Sequence, residues 1–235
     1  MGGNVKTYGE FINESTNLDS KLLSRIENEI CDFIKRNPNF SIEWGRMQND
    51  KWDMDTKPYK IYSLKQFRDK WSNCSDNKKI RYALMRWFRH WCAKCDENLM
   101  CEKYAKPNPD IYDKEWDIQF KNLEIIGNPK FDVKSTRVFK DLEYKTSYYI
   151  NDNPEELIYE FYKRQTTESR YGLQNRLFIV HIPSENRTET MVRCDFLKKK
   201  EVINEYFESI VNGEHKPYEI EIDGHKIIAD IIFVS

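Results

Sequence analysis

Apolar residues recur every three or four positions at Leu22, Leu23, Ile26, Ile30, Phe33 and Ile34, the spacing of one face of an α-helix. Asn17-Leu18-Asp19-Ser20 offers N-cap residues ahead of it, and Asn37-Pro38 stops it near Arg36. Phe40 to Trp44 reads as a short strand, followed by a polar loop rich in Asp, Asn and Lys. Helical spacing returns over 63–72 and 77–104, where Leu84, Trp87, Phe88, Trp91, Cys92 and Cys95 form one stripe before Pro107-Asn108-Pro109 breaks the chain. The period then changes. Trp116 to Gly127 and Lys130 to Val138 read as strands joined at Gly127-Asn128-Pro129-Lys130. Asn153-Pro154-Glu155-Glu156 opens a helix to about Glu168, with Pro at the first helical position and acids in the first turn. Arg176 to Ile182 is a largely apolar strand, expected to be buried on both faces. A helix over 195–211 ends at Asn212-Gly213, and strands 217–222 and 225–234 form a hairpin turning at Asp223-Gly224. The pattern predicts a single α/β domain over 1–235, with 45–110 a helical, basic, aromatic-rich insertion between the first helix and the main strands.

Composition narrows the class. Hydrophobic residues make up 39% of the 235, with 14 Tyr, 13 Phe and 6 Trp, and Gly and Pro number only eight each. Such a chain can build a sizeable core and is neither disordered nor collagen-like. No apolar run approaches the ~18–20 residues that cross a bilayer, and the N-terminus has no export signal, so a soluble, cytoplasmic protein without membrane contact is expected. In that compartment the six cysteines stay reduced. The spacing Cys92-x2-Cys95-x5-Cys101 invites a metal reading, with His90 or Cys74 needed as a fourth ligand. Against it, Cys92 and Cys95 simply extend the apolar stripe, where a free Cys is a small hydrophobe.

Charge is unevenly placed. The formal net charge is −1, yet residues 57–95 carry eleven basic side chains against Asp69 and Asp76 alone, a local +9. Tyr59, Tyr62, Phe67, Trp71, Tyr82, Trp87, Phe88 and Trp91 are interleaved with them. A concentrated positive field attracts a polyanion even on a near-neutral protein; the alternative is a solvated face paired with acids elsewhere in the fold. Lys78, Lys79, Arg81, Arg86 and Arg89 are the candidate nucleic-acid contacts.

The candidate chemistry lies in Trp116-Asp117-Ile118-Gln119 and Phe131-Asp132-Val133-Lys134-Ser135-Thr136. Asp132 and Lys134 are two apart on a strand and leave the same face, while Val133 points the other way. Asp117 begins the preceding strand, which can return antiparallel and bring two carboxylates and one ammonium to one end of a hairpin. Two acids can hold one or two Mg²⁺ ions, and a neighbouring lysine can orient an attacking water or stabilise a developing oxyanion. The bland reading is a surface strand of alternating charge.

The order helix, WDI strand, FDVKST strand, helix, RLFIVHI strand resembles the PD-(D/E)xK nuclease superfamily, the restriction-endonuclease-like fold, over 18–36 and about 115–182. The resemblance implies an α-β-β-β-α-β core, a mixed sheet flanked by helices. It makes Asp117 the first metal-binding acid, Asp132 the second, and Lys134 the catalytic lysine. A first-helix acid often joins them. Glu27-Asn28-Glu29-Ile30-Cys31-Asp32-Phe33-Ile34 looks similar to that pattern, with Glu27 the candidate and Glu29 bordering the opposite edge of the stripe. The Pro that usually precedes the first Asp is replaced by Trp116.

The expected function is therefore a Mg²⁺-dependent DNA endonuclease of restriction or defence type, with Mn²⁺ able to substitute. Ser135, Thr136, Gln165 and Arg170 are further candidate backbone contacts, along with Gln174 and Asn175. Double-strand cutting favours a two-fold homodimer; a partner methyltransferase is not inferable from the residues. The alternatives are a non-catalytic nucleic-acid-binding protein on the same fold, and a protein-interaction module using the basic helix as an interface. His90, His181, His215 and His225 have no partner at ligand spacing, and with no Gly-rich phosphate loop or Gly-x-Ser-x-Gly elbow, ATP use and serine hydrolysis are not expected.

Overall fold

The first helix, α1 (Ser20–Arg36), buries Leu23, Ile26, Ile30 and Ile34, the face its spacing marks out. The structure, a computed structural model, describes residues 20–44, 50–110, 113, 115–121, 129–165 and 174–235. The chain divides into two units, residues 1–98 with 193–196, and residues 99–192 with 197–235. This boundary differs from the expected one. Helix α1 belongs with the basic helical segment rather than with the sheet, and residues 99–110 belong with the sheet.

Side chains at the end of α1 explain its place in the first unit. Phe33 packs on Phe40 and Phe88, with ring centroids 4.9 and 5.3 Å apart. Phe40 to Trp44 forms no strand, so its apolar residues fill this cluster directly: Phe40 meets Phe88 at 5.2 Å and Ile42 is buried. Helix α2 (Asp50–Thr56) occupies part of the expected polar loop. Helix α3 (Leu64–Trp71) opens at Ser63, whose hydroxyl accepts from the Gln66 N–H, while the Gln66 side chain accepts from the Tyr62 N–H. That is a shifted form of the capping box. Helix α4 (Asn77–Lys103) is capped by Asp76, which accepts from the Lys78 and Lys79 amides. The Trp87 and Trp91 rings are wholly buried, and both indole N–H groups donate to the Ile61 carbonyl, at 2.8 and 2.9 Å. A buried indole needs such a partner.

The second unit is a mixed six-stranded sheet flanked by helices, in the order β1-β2-β3-β4-β6-β5. Strand β1 (Ala105–Pro107) lies at one edge, where the proline's missing N–H is tolerated. Strands β2 (Ile118–Phe120) and β3 (Lys130–Thr136) continue antiparallel, with Ile118 opposite Phe131. Gly127 and Asn128 of the turn expected between them lie outside the described residues. Strand β4 (Arg176–His181) is buried throughout and pairs parallel with β3, setting Arg176 against Asp132 and Phe178 against Lys134. Strand β6 (His225–Val234) is parallel to β4 and closes a hairpin with β5 (Tyr218–Ile222). Asp223 and Gly224 both have positive φ there, as a tight two-residue hairpin turn requires.

Two helices cover the sheet. Beyond a short helix α5 (Thr146–Asn151), α6 (Pro154–Gln165) packs Leu157, Ile158, Phe161 and Tyr162 against Phe178, Val180, Ala229 and Ile231. After α7 (Glu189–Arg193), helix α8 (Phe196–Val211) places Phe207 parallel to Tyr104 at 4.6 Å and edge-on to Phe120 at 4.9 Å. Residues in register on adjacent strands share a face, so Asp132 and Lys134 leave β3 on the α6 side. Among the described residues no helix is long and apolar enough to cross a membrane.

Candidate active site

Asp117 stands just before β2, and its backbone N–H donates to the Phe131 carbonyl at 2.8 Å. Phe131 is also the register partner of Ile118, so Asp117 is tied to β3 just beyond the end of the ladder. The Asp117 carboxylate accepts from the Val133 amide at 2.8 Å, a charge-assisted bond that fixes its position. Asp132 is buried, and its Oδ1 pairs with the Lys134 ammonium. The other oxygen, Oδ2, lies 3.5 Å from Nε of Arg176. Burial raises the Asp132 carboxyl above the usual carboxylate range; Lys134 pulls it back, and the neighbouring Asp117 carboxylate pushes it up again. Burial and a neighbouring like charge both disfavour the charged form of Asp132, and a cation beside it offsets them.

Four residues that the sequence pattern does not single out as part of the centre frame it. Arg176 stacks its guanidinium on the Tyr162 ring at 4.7 Å, and the Tyr162 hydroxyl, held above its usual range chiefly by burial, donates to the Gln174 carbonyl at 2.7 Å. The Asn175 carbonyl accepts from the Asp132 N–H, and its side-chain oxygen accepts from the Ile228 N–H. The Gln174 carbonyl and the Asn175 side-chain oxygen are thus engaged in the scaffold. Only the parallel register of β3 and β4 brings Arg176 to Asp132, and no local spacing announces that pairing.

The remaining candidates are placed as follows. Ser135 is exposed and alternates to the opposite face from Lys134, whereas Thr136 shares that face and puts its hydroxyl 3.4 Å from the Arg137 carbonyl. Gln165 ends α6, and Arg170 lies outside the described residues. Glu27 is part-buried on α1 in the first unit. Glu29, the other first-helix acid, accepts from the Leu64 N–H at 3.0 Å and so caps α3.

The basic set separates into two kinds. Lys79 pairs with Asp55, and Arg86 lies 3.2 Å from Asp53, which also accepts from the Tyr82 hydroxyl. Arg89 is half-buried, its guanidinium lowered first by burial and then by Arg86 and Arg193. Lys78 and Arg81 are exposed, with no acidic partner among the described residues. Trp71, Tyr82, Trp87, Phe88 and Trp91 are core side chains, not stacking platforms.

Cys92 and Cys95 are buried in the stripe, and the Cys92 sulfur lies 3.8 Å from that of Cys194. Among the described residues no group of three or more His, Cys, Asp or Glu side chains is gathered as a metal site. A Mg²⁺ site needs fewer, because the ion keeps several waters and takes one or two carboxylates plus phosphate oxygens. The hard oxygen donors of Asp117 and Asp132 fit that requirement.

His90 is half-buried, and desolvation chiefly lowers its pKa to about 4, which keeps it neutral. A second buried network joins three elements: Asp230 accepts from the Tyr206 hydroxyl and from Nε2 of His215, both at 2.7 Å. A cavity of about 250 Å³ sits where β3 and β4 end, lined by Arg137, Val138, Glu143, Thr146, His181, Ile182 and Pro183. No family model, curated protein or solved structure matches this chain.

Proposed function

We propose that this protein is a divalent-metal-dependent endonuclease that hydrolyses DNA backbone phosphodiesters. The observation that carries the reading is the meeting of Asp117, Asp132 and Lys134 where β2 and β3 pair. The order β1-β2-β3 antiparallel, then α6, then β4 parallel to β3, supports the resemblance to the restriction-endonuclease-like fold.

In this reading Asp117 and Asp132 hold Mg²⁺, with Mn²⁺ as a substitute. The bound ion would polarise the phosphate and activate water. The Lys134 side chain is 40% exposed and can leave Asp132 to orient the attacking water or to meet a phosphate oxygen. The Val133 amide keeps Asp117 from following that motion. Lys78 and Arg81, with Arg89, Thr136 and Gln165, are the candidate DNA contacts. A homodimer and a restriction or defence role are carried by the resemblance alone.

The second reading is a non-catalytic nucleic-acid-binding protein. It is favoured by the ion pairing itself: Lys134 and Arg176 already face both oxygens of Asp132. Incubation of supercoiled plasmid with the protein, in Mg²⁺ and in a chelator, separates the two. The endonuclease reading expects nicked or linear products in Mg²⁺ only. Intact plasmid in both Mg²⁺ and Mn²⁺, with DNA still bound, would favour the second.

A further inference from the structure

We infer that Arg176 is a positioning residue of the Asp117/Asp132 centre: its guanidinium, seated on the Tyr162 ring, holds the Asp132 carboxylate beside Asp117 in the orientation a divalent cation takes. The inference rests on the reading of the site as a metal-dependent nuclease centre and deepens it.

The two cations facing Asp132 differ in kind. Lys134 reaches solvent on a flexible stem, whereas the Arg176 side chain is only 6% exposed and lies against an aromatic ring. A compact ammonium can be exchanged between partners; a planar, permanently charged guanidinium stacked on an aromatic is fixed in place. When Lys134 turns towards substrate, Arg176 is the cation that still faces Asp132 Oδ2. Its burial also keeps it from the substrate itself, which excludes a catalytic role.

The frame around Arg176 is built from one continuous stretch and one helix. The Tyr162 hydroxyl is tied to the Gln174 carbonyl, the Asn175 carbonyl holds the Asp132 amide, and Arg176 pairs in register with Asp132. Each of the three residues from Gln174 to Arg176 therefore restrains Asp132 or the ring beneath its partner. Groups standing behind a metal ligand typically change affinity or activity about 10- to 100-fold when removed.

The test is Mn²⁺ binding, with the ion alone as probe, followed by calorimetry or by the electron paramagnetic resonance of the free ion. The expected result is an affinity at least about tenfold weaker in Arg176→Met than in wild type, with partial recovery in Arg176→Lys. Tyr162→Leu, which removes the platform and keeps the guanidinium, is expected to weaken binding in the same direction, and it carries the test if Arg176→Met does not fold. Loss of one positive charge would by itself tighten cation binding, so weakening reports position rather than field. A folded Arg176→Met or Tyr162→Leu protein that binds Mn²⁺ as tightly as wild type, or more tightly, overturns the inference. A wild-type protein that takes up no Mn²⁺ overturns the nuclease reading beneath it, a separate and distinguishable failure.

Discussion

Removing Lys78 and Arg81 together should change the salt dependence of DNA binding by a calculable amount. Both are exposed and three residues apart on α4, with no acidic partner among the described residues. Each phosphate left without its cation should reduce the slope of log K against log salt by about 0.9, so the double alanine variant is shallower by about 1.8. In the proposed DNA complex, those two side chains would account for roughly a 12-fold gain in affinity between about 0.2 and 0.05 M salt, which the variant should not show. Lys79→Ala should have a smaller effect, because Asp55 already pairs with that ammonium. Asp55→Asn should release Lys79 and steepen the slope by up to about 0.9. Fluorescence anisotropy of a labelled duplex across a KCl series reads these proteins together with the single Lys78→Ala variant. An unchanged slope in the double variant, or equal losses for Lys78→Ala and Lys79→Ala, would refute the division of the basic residues into free and paired sets.

Other expectations concern the scaffold. Asp230→Ala leaves the buried Tyr206 hydroxyl and the His215 ring without their acceptor and should cost about 2–6 kcal/mol in urea unfolding; a loss under about 1 kcal/mol would deny the network a structural role. The His90 pKa lies below its unfolded value, so the unfolded state binds the extra proton first. Its contribution should remove about 3 kcal/mol as pH falls from about 6.5 to about 4, and His90→Gln should flatten that limb. His215 has the opposite sign, because its hydrogen bond to Asp230 raises its pKa. Its stabilisation is fully present below the unfolded value and lost as pH rises through the folded one, so His215→Gln should be more damaging in mild acid than in mild alkali. Trp87→Phe and Trp91→Phe each leave the Ile61 carbonyl one indole donor. The double variant should therefore be less stable than the sum of the singles, and simple additivity would contradict the shared acceptor.

Periodicity was most informative where one element meets one face. The α1 stripe and the Trp/Cys stripe of α4 are buried as their spacing indicates, and β4 is apolar because it is buried along its whole length. Strand β1 was hidden by its proline, which the sheet edge tolerates, and α2 by a polar composition that serves to pair with α4. The carboxylate pair was legible because a two-residue period and one antiparallel return are local features. The contribution of Arg176 was not, since it depends on register between strands 44 residues apart in sequence. The charge count over 57–95 was correct as arithmetic, but Asp53 and Asp55 lie just upstream of that window and neutralise part of it. The aromatics interleaved with those basic residues are used by the fold mostly as core.

The most direct measurement compares wild type with Lys134→Ala on the same DNA, reading binding and Mg²⁺-dependent cleavage side by side. The nuclease account expects equal binding, with cleavage present in wild type and reduced at least about 100-fold in the variant. Equal binding with equal cleavage would place the chemistry elsewhere, and equal binding with no cleavage by either protein in Mg²⁺ or Mn²⁺ would contradict the account.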